Sequence, residues 1–86
     1  MKINLFDLKV GESVENIYIA KSFYIAEHEK LTRIPNNWFV DKNYDKVLIF
    51  NDDHVFDNKK EALEKLLKTL ENKVEQIKHS LKEYPA

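Results

Sequence analysis

The chain has 86 residues and a mass of 10.3 kDa, a length that supports one hydrophobic core and excludes two independent ones. Hydrophobic residues make up 43% and charged residues 34%, which excludes a chain disordered throughout; the net charge of −1 argues against a strongly basic nucleic-acid binder and against an acidic DNA mimic. With no Cys there is no disulfide scaffold, thiolate metal site or thiol nucleophile, and a reducing cytoplasm is the expected location. The longest apolar runs hold four residues, against roughly 20 for a membrane span, and Asp7 interrupts any signal-peptide core, so membrane insertion and secretion are both disfavoured.

Taken in chain order, the alternation over Ile3 to Val10 predicts a strand ending at Gly11. Residues 14–26 are rich in β-branched and aromatic side chains, with the triplet Tyr-Ile-Ala at 18–20 and again at 24–26. They read either as one continuous strand or as a hairpin turning at Lys21-Ser22. Residues 27–30 read as a polar turn, and Leu31 to Ile34 as a short strand stopped by Pro35 and the pair Asn36-Asn37. Trp38 to Val40 adds another strand. Lys46 to Phe50 is apolar enough for a buried strand, and with the turn Asn51-Asp52-Asp53 and the segment His54 to Phe56 it predicts a hairpin.

From Asp57 onward Ala, Leu, Glu, Lys and Gln dominate, which predicts one long helix with Asn58 as N-cap and Glu61 completing a capping box. Glu61 with Lys65, and Glu64 with Lys68, add favourable i,i+4 pairs. The fold class is therefore α+β: a single domain over 1–86, with a β-rich body at 1–57 and an amphipathic helix at 58–84. A small antiparallel sheet of about four to six strands is expected, with the helix across one face.

That helix carries the strongest pattern in the chain. Leu63, Leu67, Leu70, Val74, Ile77, Leu81 and Tyr84 follow one another at spacings of 4, 3, 4, 3, 4 and 3. Residues 59–83 would extend about 37 Å, beyond a body about 25 Å across, so part of the stripe should overhang. Either the whole stripe is core, with Leu66 widening it, or Leu66 and Leu67 pack on the sheet while Val74, Ile77, Leu81 and Tyr84 meet another protein or a second copy. With Leu67, Val74 and Leu81 as a positions, a parallel pair would set Lys73 against Lys78, whereas an antiparallel pair centred near Val74 could set Glu71 against Lys78. The antiparallel arrangement is favoured. Trp38, Phe39 and Tyr44, following the Pro-Asn-Asn turn, form a second candidate contact patch.

Signals for chemistry are weak by comparison. Asp41, Asn43, Asp45 and Asp52 match four ligand positions of a calcium loop, but Lys46 stands where the loop requires Gly, so a polar turn is expected. Asp52, Asp53, His54 and Asp57 could offer ligands to a divalent metal, yet they also suit a hairpin turn and a helix N-terminus. His28 and His79 stand alone. No H-E-x-x-H or Gly-rich phosphate loop occurs, and neither enzymatic activity nor a cofactor is expected. A stacking platform for single-stranded nucleic acid, built from Tyr18, Tyr24, Trp38, Phe39 and Tyr44, is the alternative function. Against it, residues 1–57 hold six Lys and one Arg, Arg33, against ten acids, net −3.

The ending Val55-Phe56-Asp57 followed by Asn58-Lys59-Lys60-Glu61-Ala62-Leu63, over roughly residues 46–83, resembles small accessory proteins of bacteriophages and related mobile elements. The resemblance implies a protein that binds a host defence or transcription factor in the host cytoplasm and inhibits it by occluding a surface. It specifies no catalytic residue. The expectation is a non-enzymatic protein-binding module whose partner is a host protein or a second copy.

Overall fold

The computed structural model describes residues 1–84. Six strands form one antiparallel sheet: β1 (Lys2–Ile3), β2 (Ser13–Ala20), β3 (Ile25–Ile34), β4 (Trp38–Val40), β5 (Lys46–Val47) and β6 (His54–Phe56). They lie in the order β1-β6-β2-β3-β4-β5, and one helix, α1 (Lys59–Leu81), follows. The fold is α+β, as the change of texture at Asp57 implies.

Strands β2 to β5 form a meander of sequential neighbours, with Ser13 opposite Thr32, Ala20 opposite Ile25 and Phe39 opposite Val47. Residues 14–26 thus make a hairpin, closed where the Lys21 amide donates to the Tyr24 carbonyl. The expected polar turn at 27–30 is absent, because those residues pair along β2 and sit within the ten-residue β3.

Two other expectations are corrected. Of the segment Ile3 to Val10 only Ile3 is strand, joined in β1 by Lys2 before it; Leu5–Asp7 forms a 3-10 turn capped by the Asn4 side chain, which accepts from the Phe6 amide. This turns Leu5 inward, where it is buried. Likewise, Lys46–Phe50 and His54–Phe56 do not pair. β5 is one edge of the sheet, whereas β6 lies near the other, between β1 and β2. The intervening chain crosses the sheet face as a strap, burying Ile49 while Leu48 and Phe50 remain exposed.

Because neighbouring side chains on a strand point to opposite faces, the interior divides in two. On one face Ile17, Ile19, Leu31, Phe39 and Val55 are covered by Leu5 and Ile49, with Phe6 edge-on to Phe39 at 5.8 Å between ring centroids. Arg33 secures this cover by donating to the Phe6 and Leu8 carbonyls at 2.5 and 2.6 Å and to Asn37 Oδ1 at 2.7 Å. On the other face Ala20 and Phe56 meet Ala62 of α1, with Tyr18 and Ile25 beside them. Asn16, at φ +53°, interrupts the alternation in β2, so that Val14 packs into the same cluster as Ile17 and Ile19.

The helix starts as its sequence dictates. Asn58 Oδ1 accepts from the Glu61 amide at 2.9 Å, and Glu61 Oε1 accepts from Asn58 Nδ2 at the same distance. The Met1 ammonium donates to Asp57 and Glu61 at 2.5 and 2.6 Å, tying the first strand to the first turn. These bonds to the ammonium are the main cause that lowers both carboxyls below their ordinary range and raises the amine. Lys59 pairs with Glu27 at 2.8 Å, and the last contact with the hairpin tip is Lys73, whose Nζ lies 3.7 Å from the Phe23 ring centroid. The Cα radius of gyration is 16.1 Å, against about 12 Å for a compact chain of this length. The long dimension is 56 Å.

Candidate functional site

The side of α1 that meets the sheet is not the stripe that dominates its sequence. Lys59, Ala62, Leu66, Thr69 and Lys73, also spaced 3 and 4 apart, face the body: Ala62 is fully buried, Leu66 and Thr69 are half-buried, and Lys59 and Lys73 make the contacts just described. Each stripe residue from Leu63 to Val74 follows one of these by a single position, and one residue turns a helix by about 100°. The Leu63 stripe consequently points along the flank of the sheet. Small Ala62 against Ala20 lets the helix lie close to β2, while the bulkier residues remain outside.

Exposure confirms the separation. Leu63 is 48% exposed, Leu67 58%, Val74 47%, Ile77 60%, Leu81 63% and Tyr84 73%. Leu70 is half-buried and, with Leu67 and Val74, forms an apolar groove bordered by Glu71, Asn72 and Glu75. Leu67 is therefore corrected from a sheet contact to a surface residue, and the reading of the whole stripe as core is overturned. Beyond Leu81 the amides of Lys82, Glu83 and Tyr84 donate to the carbonyls three residues before them, which continues the turn and keeps Tyr84 near the stripe. Seven apolar side chains at heptad spacing thus extend over more than five helical turns with one flank open to water.

The second expected patch does not hold together. Phe39 is fully buried beneath the sheet, so it is a core residue and not a contact residue. Its neighbour Trp38 is half-buried on the opposite face, with Lys46 Nζ 5.6 Å from its ring centroid. Tyr44 is 85% exposed in the turn where Asp41 Oδ1 accepts from the Asn43 and Asp45 amides at 2.8 and 3.0 Å. Nor do the five aromatics proposed for nucleic-acid stacking share a surface: Tyr18 lies beside Ala62 under the helix, Tyr24 is at the hairpin tip, and Phe39 is core.

Asp53 and Asp57, two of the candidate metal ligands, are each engaged by a cation. Asp53 is held by Lys21 Nζ at 2.5 Å and by the Phe50 amide at 3.0 Å; Asp57 is held by the Met1 ammonium. Burial holds the His54 and His28 imidazoles below their ordinary pKa, so both stay neutral near pH 7. Among the described residues, no group of three or more His, Asp or Glu is placed to hold a metal ion. No described helix is long and apolar enough to cross a membrane.

Sequence reasoning missed the exposed aromatics Phe23 and Phe50, and placed exposed Tyr24 only in the stacking platform. Phe23 and Tyr24 were legible in principle as the tip of the hairpin at Lys21-Ser22. Phe50 was not, since its exposure depends on the strap crossing the sheet. Comparison with protein-family models, with curated proteins and with solved structures finds no match for this chain.

Proposed function

We propose that the protein is a non-enzymatic protein-binding module whose contact surface is the apolar stripe of α1. One observation carries this reading: seven apolar side chains at heptad spacing line one flank of a helix that is already anchored to its sheet by a different flank. A stripe of that period is the complement of another helix, as in helix-in-groove and coiled-coil recognition. Its charged borders, Glu71 and Glu75 near the middle and Lys78 further on, allow orientation to be chosen by pairing. The resemblance to phage accessory proteins adds the further proposal that the bound protein is a host factor whose surface is occluded.

The test is a photo-activated cross-linking residue placed at Ile77, with a second variant carrying it at exposed Val10 as control. The reading predicts a discrete protein adduct from position 77, none from position 10, and loss of the adduct when Leu67 and Leu81 are changed to Lys. Adducts with nucleic acid alone, or equal yields from both positions, would overturn it.

A further inference from the structure

Resting on that reading, we infer that the stripe is closed by a second copy of this chain, antiparallel, in one definite register. A two-fold interface requires a surface complementary to itself, so that residue i meets j and j meets i. The stripe has that property about a point between Val74 and Ile77. Reversing one copy there sets Leu67 opposite Tyr84, Leu70 opposite Leu81 and Val74 opposite Ile77, each twice, giving six apolar layers. In the same register the flanking positions on the open side place Glu71 of each copy against Lys78 of the other. Glu71 and Lys78 are both exposed on that side. The remaining flank sets Lys73 against Ser80, so no like charges meet.

The other antiparallel alignment that buries six layers is centred near Asn72 and pairs Leu63 with Leu81, Leu67 with Ile77 and Leu70 with Val74. It fails on two counts. At its centre Glu71 meets Glu71 and Lys73 meets Lys73. It also brings the bodies into overlap, because Lys73 is where each helix leaves its hairpin tip. In the favoured register Lys73 of one copy lies level with residue 78 of the other, which separates the two tips by about 7.5 Å along the axis. The bodies then project in opposite directions. A parallel pair would set Lys73 against Lys78 along both sides.

The experiment is absolute mass by light scattering over a concentration series for the wild-type chain, Glu71→Lys, Lys78→Glu and the double variant. The inference predicts a wild-type mass of twice 10.3 kDa. Each single variant should dissociate with a Kd raised about tenfold, since two symmetric attractions become repulsions, and the double variant should return to the wild-type value. Far-UV circular dichroism verifies that all four are folded. A wild-type monomer at every concentration, a tighter dimer from Lys78→Glu as a parallel pair requires, or a double variant no better than the singles would each overturn the inference. A wild-type monomer that still gives a foreign-protein adduct from position 77 would remove the second copy and leave the binding-module reading standing; a monomer with no adduct would remove both.

Discussion

Replacing Phe39 by Ala tests its assignment to the core cluster beneath Leu5 and Ile49. Phe39 has no exposed surface and sits in one cluster with Leu5, Ile17, Ile19, Leu31, Ile49 and Val55, its ring edge-on to Phe6. Truncating a buried Phe costs about 3–5 kcal/mol through lost transfer energy and the cavity left behind. The Phe6 contact lies at the upper end of that range, because an aromatic pair adds about 0.5–1.5 kcal/mol beyond its area. A chain of this length has a total stability of about 4–13 kcal/mol, so the variant should lose a third of it or more. The assay is urea unfolding followed by far-UV circular dichroism, with Trp38 fluorescence as second probe. At a slope of about 1 kcal/mol per molar urea, the midpoint should fall by about 4–5 M or the folded baseline should vanish. Tyr44→Ala, exposed in a turn, should change stability by no more than about 0.5 kcal/mol. A Phe39→Ala cost below about 1 kcal/mol, or a Tyr44→Ala cost equal to it, would refute the assignment of Phe39 to the core.

Three further outcomes follow from the same geometry. Ala62→Leu inserts volume between α1 and Ala20 and Phe56, and should cost about 1–3 kcal/mol in urea unfolding; a neutral result would mean the helix does not lie close to β2. Asn58→Ala removes the acceptor for the Glu61 amide and should cost about 1 kcal/mol, whereas Asn58→Ser should recover most of it. Burial lowers the pKa of His28 and His54 in the folded state, so the unfolded chain takes up protons first as pH falls through 6.5. Stability should therefore be full above that value and decline toward pH 5.5, with the decline reduced in His28→Gln, His54→Gln; a midpoint independent of pH over this window would contradict the burial of both rings.

What could be read from the sequence was mostly what is local. The N-cap at Asn58, the length of α1 and the strand Trp38–Val40 depend on neighbours a few residues away, and all three are present. The strand order could not be read in the same way, because β6 inserts between β1 and β2 through pairings that join residues 2–3 with 55–56 and 18–20 with 54–56. Faces were not legible at two places. Asn16 takes a left-handed conformation that resets which residues face inward, and Trp38 and Phe39, as strand neighbours, point to opposite faces and so do not share a patch, although nothing in either residue says which face is covered.

The stripe was legible as a pattern but not as a surface. Hydrophobicity marks the positions from Leu63 to Tyr84 more strongly than the sheet-facing positions, which include Ala62, Thr69 and two lysines. The quieter stripe is nevertheless the one that packs, because a small Ala opposite Ala20 permits the closest approach. A sequence pattern records that apolar side chains share one flank of a helix; which flank the body covers is decided by the shape of the sheet.

Urea unfolding of Ile77→Lys, Leu81→Lys, at protein concentrations low enough to keep every species monomeric, decides whether the stripe is open. Lysine retains helix propensity and suits a helix C-terminus, so the substitution probes burial alone. Both residues lie past Lys73, on the part of α1 that leaves the body, and are 60% and 63% exposed. If the stripe is open, the unfolding free energy stays within about 0.5 kcal/mol of wild type per substitution. A loss of several kcal/mol, with collapse of the circular dichroism signal, would show that the stripe is core and that no contact surface exists there.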